Sequence, residues 1–164
     1  MEFIEAHTEH YSAIRQIADQ TWPETFKHIL SPDQIKYMLE MMYSEQSIRK
    51  QVNEQGHVFV LAQLNNEYLG YTSYQTNYAS KITKLHKIYV LPQKQGLGIG
   101  AALMQWVEKK TKEAGDCHLR LNVNRDNKAV RFYEKNGFSV IAEEDIPIGN
   151  GYFMNDYVMQ KELI

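Results

Sequence analysis

The sequence predicts one α+β domain, an α/β sandwich over residues 1–164 with helices on both faces of a mixed, mostly antiparallel sheet of about seven strands. Three observations predict this class. A chain of 164 residues is long enough to bury one core without disulfides. Its hydrophobic patterns follow the order strand, helices, three-strand meander, helix, strand, helix, strand, strand. The helix after the meander connects two strands, which predicts one central parallel pair.

The first part of the chain predicts a short strand, EFIEA, and three helices. Thr8 is expected to cap the first helix. The second helix begins at a capping box, Ser31–Gln34, with Pro32 at its first position. A weaker helix covers residues 44–53. The segment WPETFKHIL, between the first two helices, is expected to be irregular.

The meander follows as HVFVLAQL, EYLGYTSYQ and ITKLHKIYVL. Asn65-Asn66 lies between the first two strands, and asparagine accepts the positive φ of a hairpin turn. Pro92 ends the third strand. The next helix is expected to start near Gly98 and to stop at Gly115.

The last part of the chain alternates strands with one short helix. CHLRLNV is expected to pair in parallel with LHKIYV, and a helix from Asn127 is closed by Gly137 in a left-handed conformation. FSVIAEE and YFMNDYVMQKEL are the last two strands. A loop containing Pro147 and Gly149 is expected between them.

Composition excludes several classes of function. A net charge of −2 and a pI of about 6.3 offer no basic patch for nucleic acid. Cys117 is the only cysteine and is expected to be a buried small hydrophobe, and the six histidines lack ligand spacing, so no metal is expected. The chain shows no signal peptide and no membrane-length apolar run, which predicts a cytoplasmic protein without a membrane partner.

The stretch QGLGIG, residues 95–100, indicates a phosphate-bearing ligand because repeated glycines let a ligand approach the backbone closely. A P-loop is excluded because Ala101 follows Gly100 where lysine is required. A dinucleotide site matches at Gly96, Gly98 and Ala101 but lacks its ribose-binding acid downstream. The remaining interpretation is a strand-loop-helix unit whose N–H groups bind a pyrophosphate.

At this point the sequence resembles the GCN5-related N-acetyltransferase (GNAT) family. The acetyl-CoA signature of that family, [QR]-x-x-G-x-[GA], is matched by Gln95, Gly98 and Gly100. A second register, starting at Gln93, is less favoured. Downstream, the stretch NKAVRFYEKNGF, which begins at Asn127, resembles the helix-and-strand motif of the family.

The resemblance implies an acetyl-CoA-dependent N-acetyltransferase without a metal, in which a primary amine attacks the thioester directly. It also implies that the central parallel pair is splayed. The strand before the glycines would then bind pantetheine as an added strand and supply an oxyanion-binding N–H. The cofactor-binding residues that it implies are Ile88, Tyr89, Val90, Gln95, Gly96, Leu97, Gly98, Ile99, Gly100, Ala101 and Asn127.

Tyr133 corresponds to the tyrosine that the family uses as general acid toward the CoA thiolate. The strand before KIYV often carries a carboxylate in this family, but this sequence has Lys84 and His86. The pKa of an ordinary histidine suits a general base near neutral pH, so His86 is the predicted base. The absent carboxylate leaves an alternative open, a catalytically inactive CoA-binding sensor or scaffold of the same fold.

The acceptor is expected to be a small amine, a polyamine or a peptide amine. The segment Trp22–Phe26 resembles the corresponding stretch of polyamine acetyltransferases. Predicted substrate-binding residues are Trp22, Glu24, Phe26 and Tyr152, and further carboxylates are available in the Glu143–Asp145 run and at Asp156. The aromatic members could equally belong to the core, and a homodimer is left open.

Overall fold

The computed structural model describes residues 1–163. Within these residues, seven strands and five helices follow in this order: β1 (Glu2–Glu5), α1 (Tyr11–Phe26), α2 (Pro32–Tyr43), α3 (Glu45–Asn53), β2 (Val58–Leu64), β3 (Glu67–Ala79), β4 (Ile82–Val90), α4 (Ile99–Glu113), β5 (His118–Asn124), α5 (Ala129–Lys135), β6 (Ser139–Gly149) and β7 (Tyr152–Glu162). Single 3-10 turns cover Thr8–His10 and Pro92–Lys94.

The strands form one sheet in the order β1-β2-β3-β4-β5-β7-β6. Only β4 and β5 run parallel among the pairs whose register is described, and their ladder covers four residue pairs, from Ile82–His118 to Leu85–Leu121. Both strands continue beyond that ladder. The predicted fold class, a mixed sheet of seven strands with one parallel pair, is therefore confirmed.

The chain divides into two compact units, one of residues 1–75 and 87–107, the other of residues 76–86 and from 108 onward. The first unit contains α1, α2 and α3 with the strands β1 and β2. Its buried helix faces include Ile14 of α1, Met38 of α2 and Ile48 of α3. The prediction of a single domain stays a prediction.

The second unit contains β5, β6 and β7, with α5 beside them. In both antiparallel pairs of this unit, β5–β7 and β6–β7, the register is described over most of the strand length. The buried Asp116 fixes the turn between β3 and β4, since its Oδ2 accepts hydrogen bonds from Asn77 N at 2.8 Å and from Thr83 Oγ1 at 2.7 Å.

Several local predictions are confirmed. Asn65 and Asn66 form the β2–β3 turn with φ of 52° and 62°. Ser31 caps α2, because its Oγ accepts a hydrogen bond from Gln34 N at 3.1 Å. Gly115 and Gly137 follow α4 and α5 with φ of 81° and 93°, the left-handed conformation that ends a helix.

Two predictions at the start of the chain are wrong. Thr8 lies in the 3-10 turn and does not cap α1, which begins three residues later at Tyr11. The prediction of an irregular segment WPETFKHIL is wrong for its first five residues, because α1 continues through Pro23 to Phe26, whereas turns and a bend cover residues 27–30. Trp22 and Phe26 are 3% and 2% exposed, so their burial favours helix despite the N–H that proline lacks.

Two predictions in the second unit are also wrong. Pro147 and Gly149 lie within β6 rather than in a loop, and the turn is Asn150-Gly151. Since β6 is an edge strand, the missing N–H of Pro147 need not interrupt a ladder. Cys117 is exposed rather than buried, because it precedes the first residue of β5 at the end of the sheet.

No helix among residues 1–163 is long and apolar enough to cross a membrane. Within the same residues, no three His, Cys, Asp or Glu side chains are grouped so that they could hold a metal ion.

Candidate active site

The glycine loop of the first unit joins the turn Pro92–Lys94 to α4. Gly96 and Gly98 have φ of 83° and 80°, and a Cβ on either would meet no atom within 4 Å. Ala102 N donates to Gly98 O at 3.0 Å, an early bond of α4. The N–H groups at the first turn of a helix have no partner within the helix, so this loop offers donors and open space to an anion.

The loop is held at both sides by neighbouring residues of its unit. Ile99 is 4% exposed and packs in a cluster with Ala62, Leu69 and Leu103. Gln95 Nε2 donates to Val90 O at 3.3 Å. Leu97, between the two glycines, is 70% exposed and anchors nothing.

The strand before the loop is packed tightly against β3. Ile88 and Val90 lie against the apolar cluster of Ile99, and a Cβ on Gly70 would be 2.6 Å from Tyr89 O. Only glycine fits at that approach, so Gly70 lets β3 and the end of β4 lie close together.

A cavity of about 340 Å³ lies within the second unit. Four strands line it with mostly polar side chains, and β3 adds an aromatic residue. Its lining consists of Tyr78, Lys84, Leu85, His86, Asn122, Glu144, Ile146 and Asp156. The cavity contains carboxylates, a cation, an imidazole and an amide, a set that can bind an amine and move its proton.

His86 lines this cavity from β4, on the strand where it was predicted. Its ring stands edge-on to that of Tyr78, with the centroids 6.0 Å apart. Lys84 lines the same cavity, as expected for residues two apart on one strand.

Lys84, Asn122 and Asp156 form a hydrogen-bonded chain across β4, β5 and β7. Lys84 Nζ donates to Asn122 Oδ1, and Asn122 Nδ2 donates to Asp156 Oδ2 at 3.3 Å. The Nζ of Lys84 also lies 5.3 Å from the centroid of the Tyr78 ring. Burial lowers the pKa of Lys84 below its ordinary value, and the carboxylate of Glu144 opposes that shift.

Asp156 is 7% exposed and stands directly opposite Glu144 in the β6–β7 register. Burial raises the pKa of the Asp156 carboxyl above its ordinary value; the hydrogen bond from Asn122 lowers it, and Glu144 adds to the rise. Two carboxylates opposite each other on antiparallel strands repel, and a cation between them would relieve that repulsion.

Tyr133 and Asn127 lie in the second unit as well. Tyr133, on α5, is 7% exposed, and its ring meets those of Phe132 and Phe138 at 5.5 and 5.8 Å. Burial raises the pKa of the Tyr133 phenol above its ordinary value. Asn127 precedes α5, and its Oδ1 accepts a hydrogen bond from Ala129 N, the first residue of that helix, at 2.9 Å.

The predicted acceptor residues are dispersed. The Trp22 ring packs on Phe26 and Tyr89 with centroids 4.5 and 5.8 Å apart, so both predicted aromatic residues of α1 belong to the core of the first unit. Glu24 is exposed and pairs with Lys27 at 3.1 Å. Tyr152 begins β7 and is half-buried. Trp22, Glu24 and Phe26 of α1 do not line the cavity that contains Glu144 and Asp156.

The cavity thus joins His86 to Glu144 and Asp156, which the sequence offered only as carboxylates on a hairpin. Sequence reasoning missed Tyr78 and Asn122 as members of a site. The alternating pattern of HLRLNV contains a signal for Asn122, because this polar residue lies near the carboxyl end of a strand, and ligands often bind at that end of the strands of a sheet.

The chain is similar to known acetyltransferases over most of its length. The acetyltransferase (GNAT) domain matches residues 16–160. A spermidine N(1)-acetyltransferase of Thermoplasma acidophilum is 27% identical over 167 residues, 99% of this chain and 97% of that protein. An uncharacterized N-acetyltransferase of Mycobacterium tuberculosis is 28% identical over 149 residues, 90% of this chain and 94% of that protein.

Two solved structures of N-acetyltransferases have a fold similar to that of this chain. The crystal structure of the PaiA N-acetyltransferase of Thermoplasma acidophilum in complex with coenzyme A has a TM-score of 0.81 and 26% identity, and the match covers 98% of each chain. A GCN5-related N-acetyltransferase from Rhodopseudomonas palustris shares the fold with a TM-score of 0.84 at 20% identity, over 99% of this chain and 95% of that one.

Fold and relatives define the class of protein as an N-acetyltransferase, an acyltransferase enzyme. Since the GNAT domain matches more than half of the chain, the chain belongs to the GNAT acetyltransferase family. The predicted family is confirmed, and with it acetyl-CoA as the acetyl donor that the family uses.

Proposed function

We propose that this N-acetyltransferase transfers the acetyl group of acetyl-CoA to a primary amine of a small polyamine, by direct attack in a ternary complex. The observation that carries the proposal is the cavity in which Glu144 and Asp156 stand opposite each other. Paired carboxylates suit a substrate with more than one positive charge. The similarity to a spermidine N(1)-acetyltransferase over 99% of this chain supports the same substrate class.

For the donor, we propose that the N–H groups of residues 96–101 bind the pyrophosphate. Their support is the positive φ of Gly96 and Gly98, the open space beside them and the start of α4 at Ile99. Backbone groups of Ile88–Val90 would bind the pantetheine arm, and one N–H there would stabilise the oxyanion.

Tyr133 is proposed to donate a hydrogen bond to the departing thiolate. Because burial raises its pKa, the phenol keeps its proton at neutral pH. An alkyl thiol, with a pKa of about 8.5, is a stronger acid than a phenol, so a hydrogen bond to the developing thiolate is favoured over early proton transfer. His86 is the proton acceptor that the sequence predicts.

An amine screen tests this function. Purified protein with acetyl-CoA is offered spermidine, spermine, putrescine, a monoamine of similar length and a peptide with a free N-terminus. Release of CoA thiol gives the rate, and mass spectrometry identifies the acetylated product. We expect kcat/KM for spermidine to exceed that for the monoamine by at least about tenfold, because a second ammonium gains a charge-assisted contact.

Equal kcat/KM values for the monoamine and spermidine would contradict the polyamine proposal. A clear preference for the peptide would assign the cavity to a peptide amine. Acetyl-CoA titrated calorimetrically into the same protein provides the control, since a folded enzyme binds its donor whatever the acceptor is.

A further inference from the structure

We propose that Asp156 is the catalytic base, a carboxylate on β7 that accepts a proton from the ammonium of the acceptor. Lys84 and His86 line the cavity from β4, and the structure brings Asp156 of β7 into the same cavity. This inference rests on the proposed function, since it needs an amine in that cavity.

The Asp156 carboxylate has one free oxygen. The residue is 7% exposed and lines the cavity, and its Oδ2 accepts the hydrogen bond from Asn122. Oδ1 is buried and accepts no hydrogen bond from any of residues 1–163. A buried carboxylate oxygen without a donor costs free energy, and an ammonium in the cavity would supply the missing donor.

Asn122 is the positioning residue of this arrangement. Its Oδ1 accepts from Lys84 Nζ and its Nδ2 donates to Asp156 Oδ2, so both ends of the amide are assigned by their partners. A lysine can only donate, which orients the amide nitrogen toward Asp156. These hydrogen bonds therefore hold Oδ2 of Asp156 and leave its Oδ1 for the substrate.

The role of Glu144 differs from that of Asp156. It is exposed and lies across from Asp156 in the register, so it can attract a cation, but water stabilises its charge. Asp156 is buried, and a desolvated carboxylate holds a proton more readily than one in water. Its ability to take a proton from an ammonium is therefore greater than that of Glu144.

The proton balance of the reaction is complete without a further reactant. The ammonium gives one proton to Asp156, and the nitrogen lone pair then attacks the thioester carbon. The carbon–sulfur bond breaks, and the second proton lost by nitrogen ends on the CoA sulfur. Asp156 releases its proton to solvent after turnover, so the net products are the amide, CoA thiol and one proton.

Other titratable groups face Asp156 and shape its pH response. Lys84 and His86 face it from β4, and Glu144 from β6. Arg125, at the end of β5, acts on it at longer range while pairing with Asp145 at 2.6 Å, and Tyr78 of β3 completes the cavity. The variants must therefore distinguish the loss of a proton acceptor from a change in the net charge of the cavity.

The test compares the kinetics of Asp156→Asn, Glu144→Gln and His86→Gln. Each substitution removes one candidate proton acceptor or charge and keeps the shape of the side chain closely. In Asp156→Asn the new amide oxygen can still accept the bond from Asn122. Glu162→Gln is the matched control, because it removes the same charge from an exposed position of β7, the strand of Asp156, that does not line the cavity.

We expect kcat of Asp156→Asn with spermidine to fall by about 100-fold at pH 7, the usual loss when a general base is removed. The loss should shrink toward pH 10, because the amine, with a pKa near 10.4, then deprotonates in solution without a base. Glu144→Gln should raise KM mainly, and the control Glu162→Gln should keep both constants within about threefold.

A kcat of Asp156→Asn within threefold of wild type would overturn the inference, as would the same loss and alkaline recovery appearing in His86→Gln instead. Acetyl-CoA binding and thermal melting of each variant show that it is folded. The wild-type protein tests the proposed function separately. If it acetylates a monoamine or a peptide but not spermidine, the polyamine proposal fails while the comparison of variants with the active amine still decides the base.

Discussion

Tyr133 is a buried tyrosine in an aromatic environment, with rings on two sides. Its hydroxyl is the one part of the side chain that a phenylalanine would lack. The contacts to Phe132 and Phe138 explain why the ring is needed for packing, whereas the predicted role toward CoA concerns only the hydroxyl. Catalysis and packing can therefore be separated at this residue.

We predict that Tyr133→Phe lowers kcat by about 100-fold while the dissociation constant of acetyl-CoA stays within twofold, because the general-acid hydrogen bond is lost and the ring is kept. Steady-state kinetics and calorimetry measure the two quantities. Tyr11→Phe is the control, since Tyr11 is buried to a similar degree, 4% against 7% exposed. A similar loss of kcat in both variants would remove the catalytic role from Tyr133.

The helix α4 has a glycine with positive φ at each end, Gly98 before it and Gly115 after it. The two have φ of 80° and 81°, and each would place a Cβ in open space. A side chain at either position is strained by about 1–2 kcal/mol for the same conformational reason. Only Gly98 lies in the proposed donor loop.

We predict that Gly98→Val and Gly115→Val lower the free energy of unfolding by similar amounts, whereas only Gly98→Val weakens acetyl-CoA binding, by at least about tenfold. The β-branched side chain would occupy the space left for the phosphates. Denaturant unfolding and calorimetric titration give the two numbers. Equal donor affinity in both variants would place the pyrophosphate elsewhere.

The contact between β3 and β4 depends on Gly70. Because its Cβ would stand 2.6 Å from Tyr89 O, we predict that Gly70→Ala destabilises the protein by about 1–3 kcal/mol. Thermal unfolding should shift down by roughly 2–4 °C for each kcal/mol. Since Tyr89 belongs to the proposed pantetheine edge, donor affinity should fall too. An unchanged melting temperature would mean that β4 moves away at little cost.

Elements whose signals are local could be predicted from the sequence. Asn65-Asn66 and Ser31 each act within a few residues, so turn and cap follow from residue type alone. The cavity could not be predicted in this way. Lys84 and Asn122 are 38 positions apart, and Asn122 and Asp156 are 34 apart, so their contact depends on strand register, which a single sequence does not contain.

Pro23 lies where the local sequence predicts the wrong structure. The sequence predicts an irregular segment from Trp22, but α1 continues to Phe26, and Trp22 and Phe26 are both buried. A helix loses one hydrogen bond and a favourable contact at proline, and two buried aromatic rings contribute more than that loss. Local propensity is overruled where burial is large.

For the molecule as a whole, the response to pH is set partly by two half-buried groups of the first unit, Lys87 and His57. Lys87 Nζ donates to Gln51 Oε1 at 2.6 Å and lies 5.3 Å from the Phe59 ring centroid. Burial lowers the pKa of Lys87 to about 7. Burial and the nearby Lys87 charge lower the pKa of His57 to about 4.

Both shifts make the protein more stable as pH rises. Between about pH 7 and pH 10.5 the unfolded chain holds the Lys87 proton and the folded chain does not, so the unfolded state binds more protons. The free energy of unfolding should then rise by up to about 1.4 kcal/mol per pH unit from this group. His57 contributes in the same direction between about pH 4 and pH 6.5.

We predict that Lys87→Met stabilises the protein relative to wild type near pH 7 and that this advantage shrinks toward pH 10. Urea unfolding of both proteins across this range measures the difference. Methionine keeps approximately the length of the side chain but has no titratable amino group, so the difference between the two proteins reports the titration of Lys87. A difference independent of pH would show that Lys87 titrates near its ordinary pKa in the folded state.

The two edges of the sheet bear on how the protein behaves at high concentration. An edge strand with free backbone donors and acceptors is a template on which another chain can add. Here one edge, β1, is only four residues long, and the other, β6, carries Pro147, which has no N–H to offer. The short length of β1 and the missing N–H of Pro147 therefore disfavour the addition of a further strand at the two edges, and this is a role for Pro147 that an interpretation as a loop residue does not give it.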